Sequence, residues 1–244
     1  MSEPMDLNHV PFAELDLLRE QRKGAPEIVW TPNKTTEQCL DIAHAFLNRT
    51  GRVILSRVSP ALREALDTEF GVAAYEWYAA SCTAIIRQDH RVELKGGRVG
   101  ILTAGTSDQP SAEEAAIVCQ EMGCTVYPCY DVGVAGLHRL FGPLERLLHE
   151  VDVDVIIVAA GMDGALPSVV SGLVDVPVIG LPTAVGYGLG GQGKAALLTM
   201  LQTCSPGLAV VNIGNGVGAG VTAALIANRA ARFRQSPDKD EHRE

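Results

Sequence analysis

Short apolar runs alternate with helical patterns through the second half of the chain. Five runs rich in Val and Ile predict strands buried on both faces, at 99–103, 125–130, 153–160, 176–181 and 208–213. The apolar spacing between and after them predicts helices at 111–122, 134–150, 165–174, 194–203 and 217–233. Ser111 and Glu114 fit a capping box, and Gly123 predicts the end of that helix. The alternation indicates an α/β fold of three αβα layers around a parallel sheet.

The first part of the chain predicts a smaller α/β domain. Its pattern favours helices at 12–23, 35–48 and 59–70 and strands at 53–56 and 82–86. Composition changes near Gly96-Gly97, since 20 of the 25 glycines lie between residues 98 and 228. We therefore expect a first domain at 1–95, a second at 96–234 and a polar disordered tail at 235–244.

Charge and cysteine content exclude several classes of protein. A net charge of −9 and a pI near 5.2 argue against nucleic-acid binding, which needs clustered basic residues. We expect no membrane span, because no run of about 18 apolar residues occurs. The six cysteines form no CxxC pair, and Met1-Ser2-Glu3-Pro4 lacks a signal-peptide pattern. Reduced thiols in a cytoplasmic protein are the expectation.

Every loop that follows a predicted strand in the second part of the chain contains glycine. These loops lie at 103–108, 131–134, 161–164, 182–193 and 214–218. Glycine lets the backbone approach a ligand, and N–H groups ahead of a helix can hold a phosphate. The pattern favours nucleotide binding, although tight turns alone also require glycine.

The individual glycine motifs are weak. Residues 186–191, 188–193 and 214–219 fit G-x-G-x-x-G/A, but no strand with an acidic residue follows the last of them. Residues 188–194 resemble a P-loop, yet Ala195 replaces the Ser or Thr that would bind magnesium. Neither a dinucleotide fingerprint nor a P-loop is favoured.

Several side chains in these segments could carry chemistry. Cys204, in a Pro-Gly turn, is either a nucleophile or a buried free thiol. Asp163 fits a general acid/base, a magnesium ligand or a helix N-cap, and Asp108 has the same ambiguity. His138 fits a helix face, whereas Arg139 could reach a phosphate or a subunit contact.

Lys194 follows the Gly-rich loop at 186–193 and begins a predicted helix. A cation at a helix N-terminus is unfavourable unless an anion lies there. This residue therefore favours a bound phosphate.

Several segments together resemble one known family. Residues 99–108, 138–139, 161–167 and 209–216 resemble the aminoimidazole ribonucleotide carboxylase (PurE-type) fold, which is flavodoxin-like. The LarB branch resembles the chain more closely, through 103–110, 130–139, 161–168, 181–188 and 203–207. The resemblance continues into the first part, at 19–27 and 57–60, and covers nearly the whole chain to Asn228.

The resemblance implies a pyridinium-3,5-biscarboxylic acid mononucleotide synthase of nickel-pincer cofactor biosynthesis. Such an enzyme carboxylates C5 of the pyridinium ring of nicotinic acid adenine dinucleotide with CO2. It also hydrolyses the phosphoanhydride, which releases AMP. Magnesium is expected with the pyrophosphate, whereas biotin and ATP are not needed. PurE-type domains imply a homo-oligomer, with an octamer expected.

The resemblance also assigns residues. Cys204 matches the family's cysteine, which would add to C4 of the ring. Asp163 stands where many members have Glu, and the resemblance makes it the candidate acid/base and a candidate metal ligand. The residues expected to bind substrate and phosphate are Thr103, Gly105, Thr106, Ser107, Asp108, His138, Arg139, Gly161, Met162, Gly190, Gly191, Lys194 and Asn215.

Two other functions stay open. One is carboxyaminoimidazole ribonucleotide mutase activity on the same fold. Ala165 counts against it, because purine carboxylases have His before Leu-Pro there and lack the Cys204 turn. Within the LarB resemblance, Gly214 stands where many sequences have an acidic residue, and this difference has no explanation. The other is a non-catalytic nucleotide-binding module, which a fold alone does not exclude.

Overall fold

The structure is a computed structural model that describes residues 9–10, 12–88 and 90–235. The chain divides into two compact units, Met1–Arg91 and Val92–Glu244. The sequence places the boundary four residues later, at 95/96.

The amino-terminal unit contains a mixed four-stranded sheet, in the order β3-β4-β6-β5. β3 is parallel to β4, whereas β6 is antiparallel to both β4 and β5. A separate antiparallel pair is formed by β1 and β2. The strands are β1 His9–Val10, β2 Ala13–Glu14, β3 Val29–Trp30, β4 Arg52–Ser56, β5 Tyr75–Tyr78 and β6 Thr83–Arg87. The helices are α1 Arg19–Lys23, α2 Thr36–Thr50 and α3 Pro60–Phe70.

Helix α2 supplies much of this unit's core. Thr35 and Gln38 form a capping box at its start, and Gly51 ends it at φ 70°. Its buried face packs against the sheet through residues at helical spacing, namely Cys39, Ile42, Ala43, Phe46 and Leu47. Burial of this stripe accounts for the predicted amphipathic pattern.

The predicted helix at 12–23 is wrong over most of its length. Ala13, Leu15 and Leu17 pack against the core in alternation, which is the period of an extended chain. Only Arg19–Lys23 is helical. The pattern also gave no signal for the short strands β1, β2, β3 and β5.

The second unit is built on a five-stranded parallel sheet, in the order β11-β10-β9-β7-β8. Its strands are β7 Arg98–Thr103, β8 Thr125–Cys129, β9 Val155–Ala160, β10 Val178–Pro182 and β11 Leu208–Val210. Its helices are α4 Gln109–Glu121, α5 His138–Glu145, α6 Leu166–Ser171, α7 Lys194–Leu201 and α8 Gly216–Gln235. The predicted three-layer α/β fold is confirmed.

Helices cover both faces of this sheet. On one face, α5, α6 and α7 pack against β7 and β9 through buried residues such as Leu102, Ile156 and Leu140. On the other face α8 packs against α4 and the central strands. This contact is close, because a Cβ at Gly220 would lie 2.6 Å from the carbonyl oxygen of Ala115.

Several helix boundaries differ from the prediction. Helix α4 begins at Gln109, so Ser111 lies inside it and the predicted capping box is wrong. Pro110 fits the first turn because its missing N–H has no partner to lose there. Gly123 lies just beyond the end of the helix at φ 86°, as predicted.

The predicted helix 134–150 is interrupted. A 3₁₀ turn at Val134–Gly136 precedes α5, and a π-helical segment at Arg146–Val151 follows it. Pro143 lies inside α5 and cannot donate a helical hydrogen bond. Strand β11 and helix α6 are shorter than predicted. The predicted tail lies outside the described residues except for Gln235, which ends α8.

Among the described residues, no helix is long and apolar enough to cross a membrane.

Candidate functional site

The five loops that follow β7, β8, β9, β10 and β11 meet at one edge of the sheet, because parallel strands all end there. We call this the carboxyl edge. It consists of residues 103–108, 130–137, 161–165, 183–193 and 211–215. The opposite edge, where the strands begin, is the amino edge.

Asp108 connects three of these loops. Its Oδ1 accepts a hydrogen bond from Thr183 Oγ1 at 2.6 Å, and its Oδ2 accepts one from Gly105 N at 2.9 Å. The backbone N–H of Gly161 also donates to this carboxylate. Because Asp108 and Thr183 are only 4% and 2% exposed, these bonds are shielded from water. Asp108 therefore fixes the relative positions of the loops after β7, β9 and β10.

Burial raises the pKa of Asp108, while the hydrogen bonds from Thr183, Gly105 and Gly161 oppose that shift. The helix-cap alternative for Asp108 is wrong, since its side chain does not cap α4. The three donors stabilise the charged form of a carboxylate that has been removed from water.

Thr103 connects a fourth loop. Its fully buried Oγ1 accepts a hydrogen bond from Asp131 N at 3.0 Å. Asp131 in turn forms a salt bridge with Arg139, 2.6 Å from Oδ2 to Nη1. Arg139 is therefore paired within the chain, although its side chain stays 39% exposed at this edge.

Three glycines let the loops pack at backbone distance. A Cβ at Gly161 would lie 2.4 Å from Val185 O, and one at Gly193 would lie 2.7 Å from Thr183 O. At Gly164, which has φ 65°, a Cβ would meet the Ala196 backbone at 2.6 Å. The glycine content of this edge thus has a packing explanation at these positions.

The turn after β9 presents Met162 and Asp163 to solvent. Met162 has φ 52°, and its N–H donates to Val185 O at 2.6 Å. The N-cap of α6 is Ala165, with no side-chain cap bond, so the N-cap alternative for Asp163 is wrong. The Asp163 carboxylate is therefore exposed at the carboxyl edge, where an acid/base role stays a prediction.

Lys194 is the first residue of α7, as predicted. In the described part of the chain its exposed side chain has no hydrogen bond or ion pair. Gly190 and Gly191 lie just before it, at the end of a 3₁₀ turn. A cation and backbone N–H groups at one helix N-terminus are suited to an anion.

The remaining predicted phosphate-binding residues are exposed at the same edge. Thr106 and Ser107 form a 3₁₀ turn with Asp108, and His138 begins α5. Asn215 accepts a hydrogen bond from Gly218 N at 2.8 Å, which makes it an N-cap for α8. Asn215 thus has a structural role besides the predicted one.

Cys204 lies elsewhere in the same unit. It precedes the first residue of β11 and follows the last residue of α7, which places it at the amino edge. Strands of five or six residues separate the two edges by about 16–20 Å. The fold therefore does not bring Cys204 to the carboxyl-edge residues of its own chain.

The Cys204 turn is nevertheless well held and open to solvent. Ser205 Oγ donates to Ser168 O at 2.9 Å, and Ser205 N donates to Thr203 Oγ1 at 3.1 Å. Of the six cysteines, all in the described part of the chain, Cys204 is the one that is exposed. The buried-thiol alternative is therefore wrong for this residue.

The carboxyl edge does not form a metal cluster by itself. Within 9–10, 12–88 and 90–235, no group of three or more His, Cys, Asp or Glu could hold an ion. The described residues therefore do not fit a magnesium ion held by the protein alone.

Sequence reasoning missed the part played by Thr183. The signal was a hydroxyl directly after the apolar run Val178–Pro182, where a buried side chain needs a partner. It also treated Asp131 only as a loop residue, although an acidic residue eight positions before Arg139 could have suggested their pairing.

Two family models match successive parts of the chain. The model of the LarB/PurE-like N-terminal domain matches residues 6–87, and that of AIR carboxylase matches residues 98–240. The chain belongs to the AIR carboxylase family and has the amino-terminal domain of its LarB branch. The resemblance to the LarB branch of this family, inferred from the loop motifs, is therefore confirmed.

Relatives of two kinds support this membership. A Methanocaldococcus jannaschii protein described as uncharacterized protein MJ0165 is 44% identical over 88% of this chain and 83% of its own length. The N5-carboxyaminoimidazole ribonucleotide mutase of the same organism is 32% identical over 52% of this chain and 74% of its own. The N5-carboxyaminoimidazole ribonucleotide mutase of Thermotoga maritima is 31% identical over 53% of this chain and 74% of its own length.

Proposed function

We propose that this LarB-type protein carboxylates C5 of the pyridinium ring of nicotinic acid adenine dinucleotide and hydrolyses the phosphoanhydride. The products are pyridinium-3,5-biscarboxylic acid mononucleotide and AMP. The observation that carries the proposal is the exposed thiol of Cys204, held in a fixed turn on an AIR carboxylase fold. Family membership supports PurE-related chemistry, and the thiol favours this version of it.

The chemistry requires a nucleophile because a pyridinium carbon does not attack CO2. The Cys204 thiolate adds to C4, and the ring electrons move to N1 to give a dihydropyridine. The resulting enamine attacks CO2 through C5, which forms the new carbon–carbon bond. A base takes the C5 proton, and the electrons of that bond restore the C5–C6 double bond. Expulsion of the thiolate from C4 then restores the aromatic ring.

The carboxyl edge would bind and orient the substrate. Lys194 and the N–H group of Gly190 suit the pyrophosphate, whereas the N–H of Gly191 already donates to Gly188 O at 3.2 Å. Asp163 is the proposed base for the C5 proton, because its carboxylate is exposed beside this loop. Asp108 positions the loops through its bonds to Thr183 and Gly105, and its predicted contact with phosphate stays a prediction.

Magnesium, in this proposal, is bound mainly by the pyrophosphate of the substrate, whose oxygens are ligands that it prefers. When bound, it would neutralise phosphate charge.

A complete site requires two copies of the chain. Since Cys204 lies at the amino edge and Asp163 at the carboxyl edge, one chain cannot bring both to one ring. We propose that Cys204 of one protomer faces the carboxyl edge of another. This arrangement gives a catalytic reason for the expected homo-oligomer. We propose that the oligomer is an octamer.

Mutase activity is the second candidate, because several relatives that match about half of this chain are named as mutases. Ala165 disfavours it, since an alanine cannot transfer the proton that a histidine could. The Cys204 turn has no use in that reaction.

Mass spectrometry tests the leading proposal. Reduced, purified protein is incubated with nicotinic acid adenine dinucleotide, bicarbonate and magnesium. We expect AMP and a second product that is heavier than nicotinic acid mononucleotide by the mass of one CO2. Cys204→Ala should abolish the carboxylated product, whereas the matched control Cys129→Ala should retain it. Absence of product from the unmodified chain would contradict the assignment. In a parallel assay with carboxyaminoimidazole ribonucleotide, turnover of that substrate would favour the mutase.

Mixing two inactive variants tests the shared site. Cys204→Ala and Asp163→Asn protein are unfolded, mixed and refolded together. Random assembly should restore about a quarter of the sites, because half of the carboxyl edges and half of the thiols are intact. If the mixture is no more active than the separate variants, either Cys204 acts within its own chain or Asp163 is not the base. Activity of Asp163→Asn alone separates these outcomes.

A further inference from the structure

The amino-terminal unit contains an open cavity of about 530 Å³ that the proposed reaction does not use. It lies between α3, β5 and the turn before β6, and all its lining residues belong to this unit. Small-molecule sites usually have volumes of about 300–1,000 Å³. The cavity is therefore large enough for a small organic ligand.

One wall offers a flat, stacked surface. The guanidinium carbon of Arg63 lies over the ring of Trp77, 4.4 Å from its centroid. Val58, Pro60 and Ala79 provide apolar lining around this pair. A planar heteroaromatic ring can stack on an aromatic face or on a guanidinium plane.

Two carboxylates lie next to this wall, on one face of α3. Asp67 accepts a hydrogen bond from the Tyr75 hydroxyl, which fixes its orientation. Glu64 lies one turn earlier, and within the described residues its carboxylate has no hydrogen bond or ion pair. Glu64 is thus available to accept a hydrogen bond from a ligand.

The charges of the lining limit which part of a ligand can enter. Arg63 contributes one positive charge, while Glu64 and Asp67 contribute two negative charges. A phosphate inside the cavity would meet this net negative charge, so phosphates are expected to face solvent. A neutral ring that donates hydrogen bonds fits the lining better.

We infer that this cavity binds the adenine ring of a nucleotide. The ring stacks on the Arg63–Trp77 pair, its exocyclic amino group donates to Glu64, and the ribose phosphate projects into solvent. The choice of AMP as the nucleotide rests on the proposed function, because AMP is a product of that reaction. The cavity would let the amino-terminal unit sense the product.

Tryptophan fluorescence tests the inference without any turnover. The chain has two tryptophans, so Trp30→Phe leaves Trp77 as a reporter inside the cavity. We expect AMP to quench this fluorescence saturably. Glu64→Ala, which removes the acceptor, or Arg63→Gln should weaken the apparent affinity roughly 10-fold, which corresponds to the loss of about 1.4 kcal/mol. The matched control Arg49→Gln, on the exposed surface of α2, should leave it unchanged.

Inosine monophosphate and nicotinic acid mononucleotide complete the test. Inosine monophosphate keeps the purine and the phosphate but lacks the amino group, so it should bind at least 10-fold more weakly. Equal quenching by inosine monophosphate, stronger quenching by nicotinic acid mononucleotide, or no saturable quenching by AMP would each overturn the inference. Product formation in the carboxylation assay is a separate readout, so the two proposals can fail independently.

Discussion

Thr183→Val removes the hydroxyl that donates to Asp108 at 2.6 Å. Valine keeps the side-chain shape but leaves one oxygen of a buried carboxylate with less hydrogen bonding. A bond to a charged group contributes roughly 1.5–3 kcal/mol, and both side chains are almost fully buried, so we expect a loss of about 2 kcal/mol. For a domain of this size that corresponds to a fall in Tm of about 4–8 °C.

The loss should depend on pH. Burial raises the pKa of Asp108 above its ordinary value of 3.8, and Thr183 lowers it. Because the pKa of Asp108 is raised in the folded chain, protonation of this carboxyl stabilises the fold. That contribution is complete below pH 3.8 and is lost as the pH rises through the pKa of the folded state. Removing the Thr183 hydroxyl raises that pKa further. The variant should therefore lose more stability at neutral pH, where Asp108 is charged, than near 3.8.

Calorimetric melting of both chains at about pH 4 and about pH 7 measures this difference. Thr125→Val is the matched control, since Thr125 is exposed at the start of β8. We expect its Tm to stay within about 1–2 °C of the original at both pH values, as for surface substitutions. An equal loss at the two pH values for Thr183→Val would refute the view that Asp108 is charged and held by this hydroxyl.

Three further predictions concern the same unit. Gly164→Ala should destabilise more than Gly188→Ala, by urea unfolding, because both have positive φ but only the first meets a backbone, that of Ala196. Equal losses would contradict that packing. Lys194→Ala should raise KM for the dinucleotide roughly 10-fold with kcat little changed, less so at high salt. A salt-independent effect would argue against a phosphate contact. Burial raises the pKa of Cys124 to about 11, so a thiolate-selective reagent should label it only after unfolding, whereas the exposed Cys204 reacts in the native protein. Peptide mass spectrometry locates the label, and labelling of Cys124 itself in the native protein at neutral pH would contradict this.

The second unit could be predicted from sequence because its strands are buried on both faces. Continuous Val and Ile runs such as Val155–Ala160 have few alternative structures, and the strands then order the loops. The first unit was harder, since two-residue strands such as Val29–Trp30 are too short to show a period. The segment before Arg19 is a different case, because Ala13, Leu15 and Leu17 do alternate with polar residues as in an extended chain, and the helix prediction there was wrong.

The candidate site was predicted unevenly. Residues that follow strands, such as Asp108 and Lys194, lie at the expected edge. The sequence could not show that Asp108 bonds to Thr183, because 75 residues separate them along the chain. The position of Cys204 at the amino edge follows from the strand direction once the topology is known. The family motif around Cys204 did not indicate this position, since a family resemblance says nothing about which protomer uses a residue.

The carboxylate of Asp108 joins loops whose solvent-facing positions differ in chemistry. Because the buried bonds to Thr183, Gly105 and Gly161 hold the backbone, positions such as the half-buried Ala165 and the exposed Asp163 can change without disturbing the frame. Such a frame lets evolution exchange proton donors and nucleophiles on one fold at small cost to stability. New reactions could therefore arise here by surface substitution alone, before any change in the core.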